Sequence, residues 1–273
     1  MNKKIFFNAS LPRAGSTLLQ NVLMQNPEIY STPTSGVIDF LLNCRSVYTN
    51  NDAFRAQDPE TMKTAFQGFC KAGLHGFFDN ITTRPYIMEK SRGWLGNYDF
   101  AEFFLQEQPK IICMVRDLRG IFASMEKNYR KNPDKDPGIV NNLELKNMTT
   151  SARIDHFSVS PPIGPSLEWL AEIFQLGIED KILFIRFEDF TADPETEMKR
   201  IYTYLELPYY KHDFDNVEQL THENDVIHGI FGDHKIQNKI KPIKPDFVSV
   251  LGQDQSIRLR EHYDWYFRKF NYI

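Results

Sequence analysis

The chain has 273 residues, 41% of them hydrophobic and 25% charged, with a formal net charge of −4. That composition supplies a packed core and excludes a disordered chain. The acidic balance argues against nonspecific binding to nucleic acid, while leaving room for a local basic pocket.

Cys44, Cys70 and Cys113 are few, odd in number and widely spaced, which suggests neither a disulfide framework nor a structural zinc site. The N-terminus carries Lys3 and Lys4 but no long apolar region, and no run anywhere is long enough to span a bilayer. A cytoplasmic protein without a signal peptide or membrane partner is expected.

Four short apolar runs, Lys4–Ala9, Pro85–Glu89, Lys110–Val115 and Lys181–Phe187, predict buried strands. Helical patterns lie between them. Leu18, Leu19, Val22 and Leu23 share one face of a helix that Asn26-Pro27 ends, and Leu167, Leu170, Ala171 and Phe174 share another, stopped at Gly177. Asp193-Pro194 supplies a cap and first-turn proline for Met198, Ile201, Tyr202 and Leu205. Leu259, Tyr263, Tyr266, Phe267 and Phe270 predict a C-terminal helix. Strands alternating with helices imply an α/β three-layer sandwich around a central parallel sheet. One stretch, about 128–165, is weak in periodicity and predicts an irregular loop or lid in an otherwise single domain, 1–273.

Two loops carry the chemistry. Leu11-Pro12-Arg13-Ala14-Gly15-Ser16-Thr17-Leu18 follows the first strand and opens a helix, so free backbone N–H groups and a positive helix end face the turn. Gly15 permits close backbone approach, Ser16 and Thr17 add hydroxyls and Arg13 adds a cation. The string is not a Walker A motif, for it lacks GxxxxGK[ST]. At the end of the third strand stands Arg116, with Ser124 eight residues on, an arrangement able to grip a second phosphate.

With these loops the chain resembles the sulfotransferases that use 3′-phosphoadenosine 5′-phosphosulfate (PAPS), a P-loop-like nucleotide-binding fold. Glu89-Lys90-Ser91-Arg92 is similar to the family's lysine string after the second strand. Phe184-Ile185-Arg186-Phe187-Glu188-Asp189-Phe190 resembles its RYEDL strand end. Order and separation agree to about Pro208. The segment Lys235–Pro242 looks like the lysine-bearing stretch of tyrosylprotein and Golgi-type members, with Lys235, Lys239 and Lys241 as competing candidates.

The resemblance implies that Arg13 and Lys90 hold the sulfuryl and bridging oxygens. It further implies that Ala14 to Leu18 hold the 5′-phosphate, that Arg116 and Ser124 hold the 3′-phosphate, and that Arg186, Lys239 and Lys241 add nucleotide contacts. No metal is expected: His222, His228 and His234 lack metal-ligand spacing. The general base departs from the family pattern. No carboxylate stands in Thr32–Gly36, and Arg92 occupies the position of the cytosolic members' histidine. Asp39 is the candidate base, beside Glu89, Asp155 and His156.

The expected activity is sulfuryl transfer from PAPS to a hydroxyl or amine of a small or medium organic acceptor. A P-loop-type nucleotide-dependent phosphotransferase and a catalytically inactive nucleotide-binding relative are the alternatives. Acceptor and oligomeric state are not legible in the sequence.

Overall fold

The computed structural model describes residues 3–134, 142–243 and 246–273. Its centre is a parallel sheet of five strands, β1 Lys4–Asn8, β2 Ile29–Thr34, β3 Tyr86–Lys90, β4 Ile111–Val115 and β5 Ile182–Arg186, in the order β2-β3-β1-β4-β5. β4 is buried at every position, and β1 and β3 bury their carboxyl-terminal ends, because helices cover both faces. Runs such as Ile111-Ile112-Cys113-Met114-Val115 have no polar side to show to water. β1 pairs with β3 in a register that sets Asn8 opposite Lys90. The chain first builds outward to β2 and β3, then crosses to β4 on the other side of β1. That reversal opens a crevice beyond the carboxyl ends of the strands, where ligands of such sheets bind.

β2 is the strand that sequence reading did not find. Ile29-Tyr30-Ser31-Thr32-Pro33-Thr34 is half polar and contains a proline, which a central strand excludes. β2 lies at the sheet edge, where a missing donor is tolerated, and its register with β3 shifts between Ser31 and Thr34.

The expected helices form at Ser16–Leu23, Ile163–Gln175 and Pro194–Leu205. The Asp193 side chain accepts from the Thr196 N–H, and Gly177 adopts φ +65° just past the end of its helix. The C-terminal helix breaks in two, Gln253–His262 and Asp264–Lys269, at Tyr263, although Leu259, Tyr263, Tyr266, Phe267 and Phe270 are all buried as expected.

The stretch expected to be irregular at about 128–165 is mostly helical where described. Leu118–Lys131, Asn142–Asn147, Thr150–Val159 and the start of Ile163–Gln175 cover it, while 135–141 lie outside the described residues. A buried charge cluster joins the first three of these helices. Glu126, fully buried, accepts from Arg153 Nη2 at 2.6 Å and Nε at 2.9 Å, and from Arg130 Nε at 2.8 Å. Ionic anchoring leaves little apolar periodicity to read, which is why the stretch looked like a loop.

Candidate active site

A cavity of about 610 Å³ opens at the strand ends, and each of the five strands contributes to its wall. The loop after β1 supplies Arg13 and Gly15 to Leu18; β2 and β3 supply their last residues, Thr34 and Lys90. Arg116 and Phe187, the first residues past β4 and β5, complete the set. Seven Lys or Arg side chains face the cavity against one carboxylate, Asp233. That wall suits a polyanion.

The first loop is held by β4 and by the Phe187 ring. Leu11 N–H donates to Met114 O at 3.0 Å, tying the turn to β4. Gly15 adopts φ +92°, and a Cβ there would lie 2.5 Å from the Phe187 ring, so only glycine fits. The first helical bond runs from Leu19 N–H to Gly15 O at 3.1 Å. Ser16, Thr17 and Leu18 therefore form an open first turn on the cavity wall, an anion-binding geometry. Ala14 is fully buried and absent from the wall.

The loops after β1 and β4 touch. Arg13 Nε donates to Ser124 Oγ at 3.0 Å, and Arg116 Nη1 donates to Arg13 O at 2.9 Å while stacking over Phe187 at 4.9 Å. Burial lowers the Arg116 pKa, countered by the charge of Glu188. Arg116 also borders a second cavity of about 500 Å³ that includes Ser124 and Arg186. Arg186 pairs with Asp189 at 3.4 Å and stacks on Tyr272 at 4.5 Å, outside the first cavity. Lys235, Lys239 and Lys241 all reach the first cavity, Lys239 with a 2.6 Å ion pair to Asp215.

Lys90 is the buried cation of the site. Its Nζ donates to Thr17 Oγ1 at 3.3 Å and to Glu223 Oε1 at 2.9 Å. Burial lowers its pKa and the Glu223 charge opposes that shift. Neighbouring Glu89 is fully buried and accepts from the Trp94 indole; burial pushes its carboxyl up to about 8, so it is protonated at neutral pH and is not the partner of Lys90.

Sequence reading missed Glu223. Thr34 N–H and Oγ1 donate to its Oε1 at 2.8 and 3.1 Å. Burial works against its charge, yet Lys90 and these hydrogen bonds bring the carboxyl down to about 2. Its Oε2 is buried without a hydrogen-bond partner, 3.2 Å from His228 Nε2 and 3.4 Å from His234 Nε2. Glu223, His228 and His234 bring one ligand atom each within 4.8 Å, spacing that a cation could use, although Lys90 already neutralises the carboxylate. Arg13 has a C-terminal partner too: its Nη1 and Nη2 donate to Asp233 O and Oδ2 at 2.7 and 2.8 Å. The signal in the sequence was faint, three histidines and three acids within 222–234, an irregular stretch.

The candidates for the base are not brought together. Asp39 is exposed on the helix Val37–Asn50 and does not reach the cavity. Asp155 pairs with Arg258 at 3.4 Å, and His156 meets Ser160 at 3.3 Å, both away from the cavity.

A doubly wound parallel sheet with an anion-binding turn after its first strand defines a nucleotide- or anion-binding α/β protein. The Sulfotransferase family profile matches residues 6–211, and the chain belongs to that family. No curated protein matches it. Among solved structures, the sulfotransferase domain from the curacin biosynthetic pathway is similar over 97% of this chain and 98% of its own, with TM-score 0.57 and 15% identity. Mouse sulfotransferase SULT7A1 complexed with PAP is similar over 98% of this chain and 85% of its own, with TM-score 0.56 and 15% identity. At that identity the likeness is one of fold. No helix among the described residues is long and apolar enough to cross a membrane.

Proposed function

We propose that the cavity binds PAPS and that the chain transfers its sulfuryl group to a hydroxyl or amine of a small or medium organic acceptor. One observation carries the reading: Arg13, Lys90, Arg116 and the open turn Ser16–Leu18 converge on the cavity, with Ser124 one hydrogen bond away through Arg13. The PAP bound to the mouse structure supports it.

In this reading the open turn holds the 5′-phosphate, and Arg116 with Ser124 holds the 3′-phosphate. Lys90 and Arg13 face the oxygen between phosphorus and sulfur, where charge grows as the bond breaks. A transferred group carrying less charge than a phosphoryl leaves the work to positioning and fixed cations. Arg186 lies beyond Arg116 in the second cavity, so its contact would be to the nucleoside end. Lys235, Lys239 and Lys241 close the cavity from the C-terminal side. Apolar lining from Met125, Phe231 and Ile236 suits an organic acceptor.

The reading is tested by mixing the protein with labelled PAPS and a panel of phenols, alcohols and amines. Formation of PAP with a labelled sulfate ester, or with a labelled sulfamate from an amine, is expected. Transfer from ATP instead of PAPS would replace the reading with the phosphotransferase one.

A further inference from the structure

The sulfuryl-transfer reading leaves the acceptor's proton without a destination, because Asp39 is exposed outside the cavity and Glu89 is sealed beneath Trp94. The C-terminal segment supplies one. His234 lies on the cavity wall with Lys90 and Arg13, and its Nδ1 stands 2.6 Å from Asp225 Oδ1. An N–H must lie between those atoms, so the neutral ring carries its lone pair on Nε2. Nε2 in turn stands 3.4 Å from the buried, unpartnered Oε2 of Glu223. With the neutral ring's proton on Nδ1, neither Nε2 nor the Oε2 carboxylate oxygen has a hydrogen to donate to the other. A proton arriving on Nε2 would find carboxylates at both ring nitrogens.

We propose that His234 is the general base: its Nε2 takes the proton from the acceptor, Asp225 is the positioning residue that holds Nδ1–H, and Glu223 stabilises the imidazolium. The assignment rests on the sulfuryl-transfer reading. As the acceptor oxygen forms its bond to sulfur, its proton passes to Nε2. The bond between sulfur and the bridging oxygen breaks, and its electron pair leaves on the 5′-phosphate of PAP beside Lys90 and Arg13. The imidazolium later returns its proton to solvent. Glu223 is the poorer base, since Lys90 holds it as a carboxylate of very low proton affinity.

The groups facing His234 are Asp225, Glu223, Lys90 and the ring of His228, 5.0 Å away centre to centre. Burial lowers its pKa, with Asp225 and Glu223 opposing, so the ring is neutral and able to accept at neutral pH. A divalent cation among Glu223, His228 and His234 is disfavoured by Lys90, 2.9 Å from the same carboxylate, and by Arg92, which also feels its charge.

The test compares wild type with His234→Gln in single-turnover transfer from PAPS to phenol and to the more acidic 4-nitrophenol, beside a PAP titration. The expected loss is on the order of a hundredfold or more with phenol and several-fold smaller with 4-nitrophenol, which needs less help to lose its proton. PAP affinity and thermal stability should hold. The wild-type rate should rise with pH to a plateau whose midpoint lies below the ordinary histidine value, and the variant should lose that step. Asp225→Ala should move the midpoint further down, because a carboxylate that stabilises the imidazolium has gone. Equal losses with both phenols, or none, would overturn the assignment, as would loss of activity to chelator with rescue by Zn²⁺. A wild type that neither binds PAP nor consumes PAPS would instead bring down the sulfuryl-transfer reading.

Discussion

The two sides of the cavity are built in different ways. On the sheet side every contact is the end of a strand: Lys90 is locked to Asn8 by register, Arg116 follows β4 directly, and the turn after β1 is pinned to Met114. On the other side, residues 206–243 contain one short 3₁₀ turn, Gly229–Phe231, and otherwise no helix or strand. That side is held by side chains. Asn21 accepts from Leu220 and Thr221 N–H and donates to Thr221 Oγ1 at 2.8 Å, while Glu223 and Asp233 reach across to Lys90 and Arg13. The sheet side brings Arg13, Lys90 and Arg116, and the C-terminal side brings carboxylates and histidines beside Lys235, Lys239 and Lys241. In the proposed reaction the first holds the donor and leaving charge, and the second handles the proton.

The largest effect expected of that division is at Lys90. Lys90→Ala should lower single-turnover sulfuryl transfer by about a hundredfold or more, the scale of losing one preorganised charge stabiliser, while PAP affinity falls far less. The variant also strands Glu223 as a buried carboxylate, so the control is Lys90→Ala with Glu223→Gln. Its stability should recover, and its rate should lie far below that of Glu223→Gln alone. A rate defect that is wholly a binding defect would move Lys90 out of the chemistry.

A smaller effect sharpens the sheet side alone. Glu89 titrates near 8 in the fold because of burial, against an ordinary value near 4.5. Between those values the unfolded chain has lost the proton and the fold has kept it, so stability falls as pH rises through that window. Glu89→Gln should match wild type in denaturant titrations near pH 4 and be more stable by about 1–3 kcal/mol near pH 9. A pH-independent difference would show the buried carboxyl to be ionised throughout.

The smallest effect concerns how the two sides meet. The Asp233 carboxylate pairs with Arg13, partly exposed, and competes with any donor anion that needs the guanidinium. Asp233→Asn should tighten PAP binding by no more than several-fold, the equivalent of about 0–1 kcal/mol for such a pair. Weaker binding would show instead that Asp233 holds Arg13 in its working pose.

The same division explains what was legible in the sequence. Strand, turn and helix are local, so Arg13 to Leu18, Lys90 and Arg116 with Ser124 could be found from neighbours within a few residues. β2 escaped because an edge strand tolerates Ser31, Thr32 and Pro33, which blur the alternation. The helix Thr150–Val159 escaped because Arg153 anchors it to Glu126 by charge, leaving little apolar stripe. Glu223 and His234 were invisible for a third reason. Glu223 takes its partners Thr34 and Lys90 from distant strands and holds His234 beside it at the cavity, so long-range packing places them and spacing within 222–234 does not.

The central claim is that Arg116 and Ser124 distinguish a nucleotide with a 3′-phosphate from one without. Calorimetric titration of the wild type and Arg116→Ala with PAP and with ADP tests it most directly. Wild type should bind PAP much more tightly than ADP, and the variant should lose on the order of 1.5–3 kcal/mol of that preference, the worth of a hydrogen bond to a charged group. Equal affinity of the wild type for the two nucleotides would contradict the account.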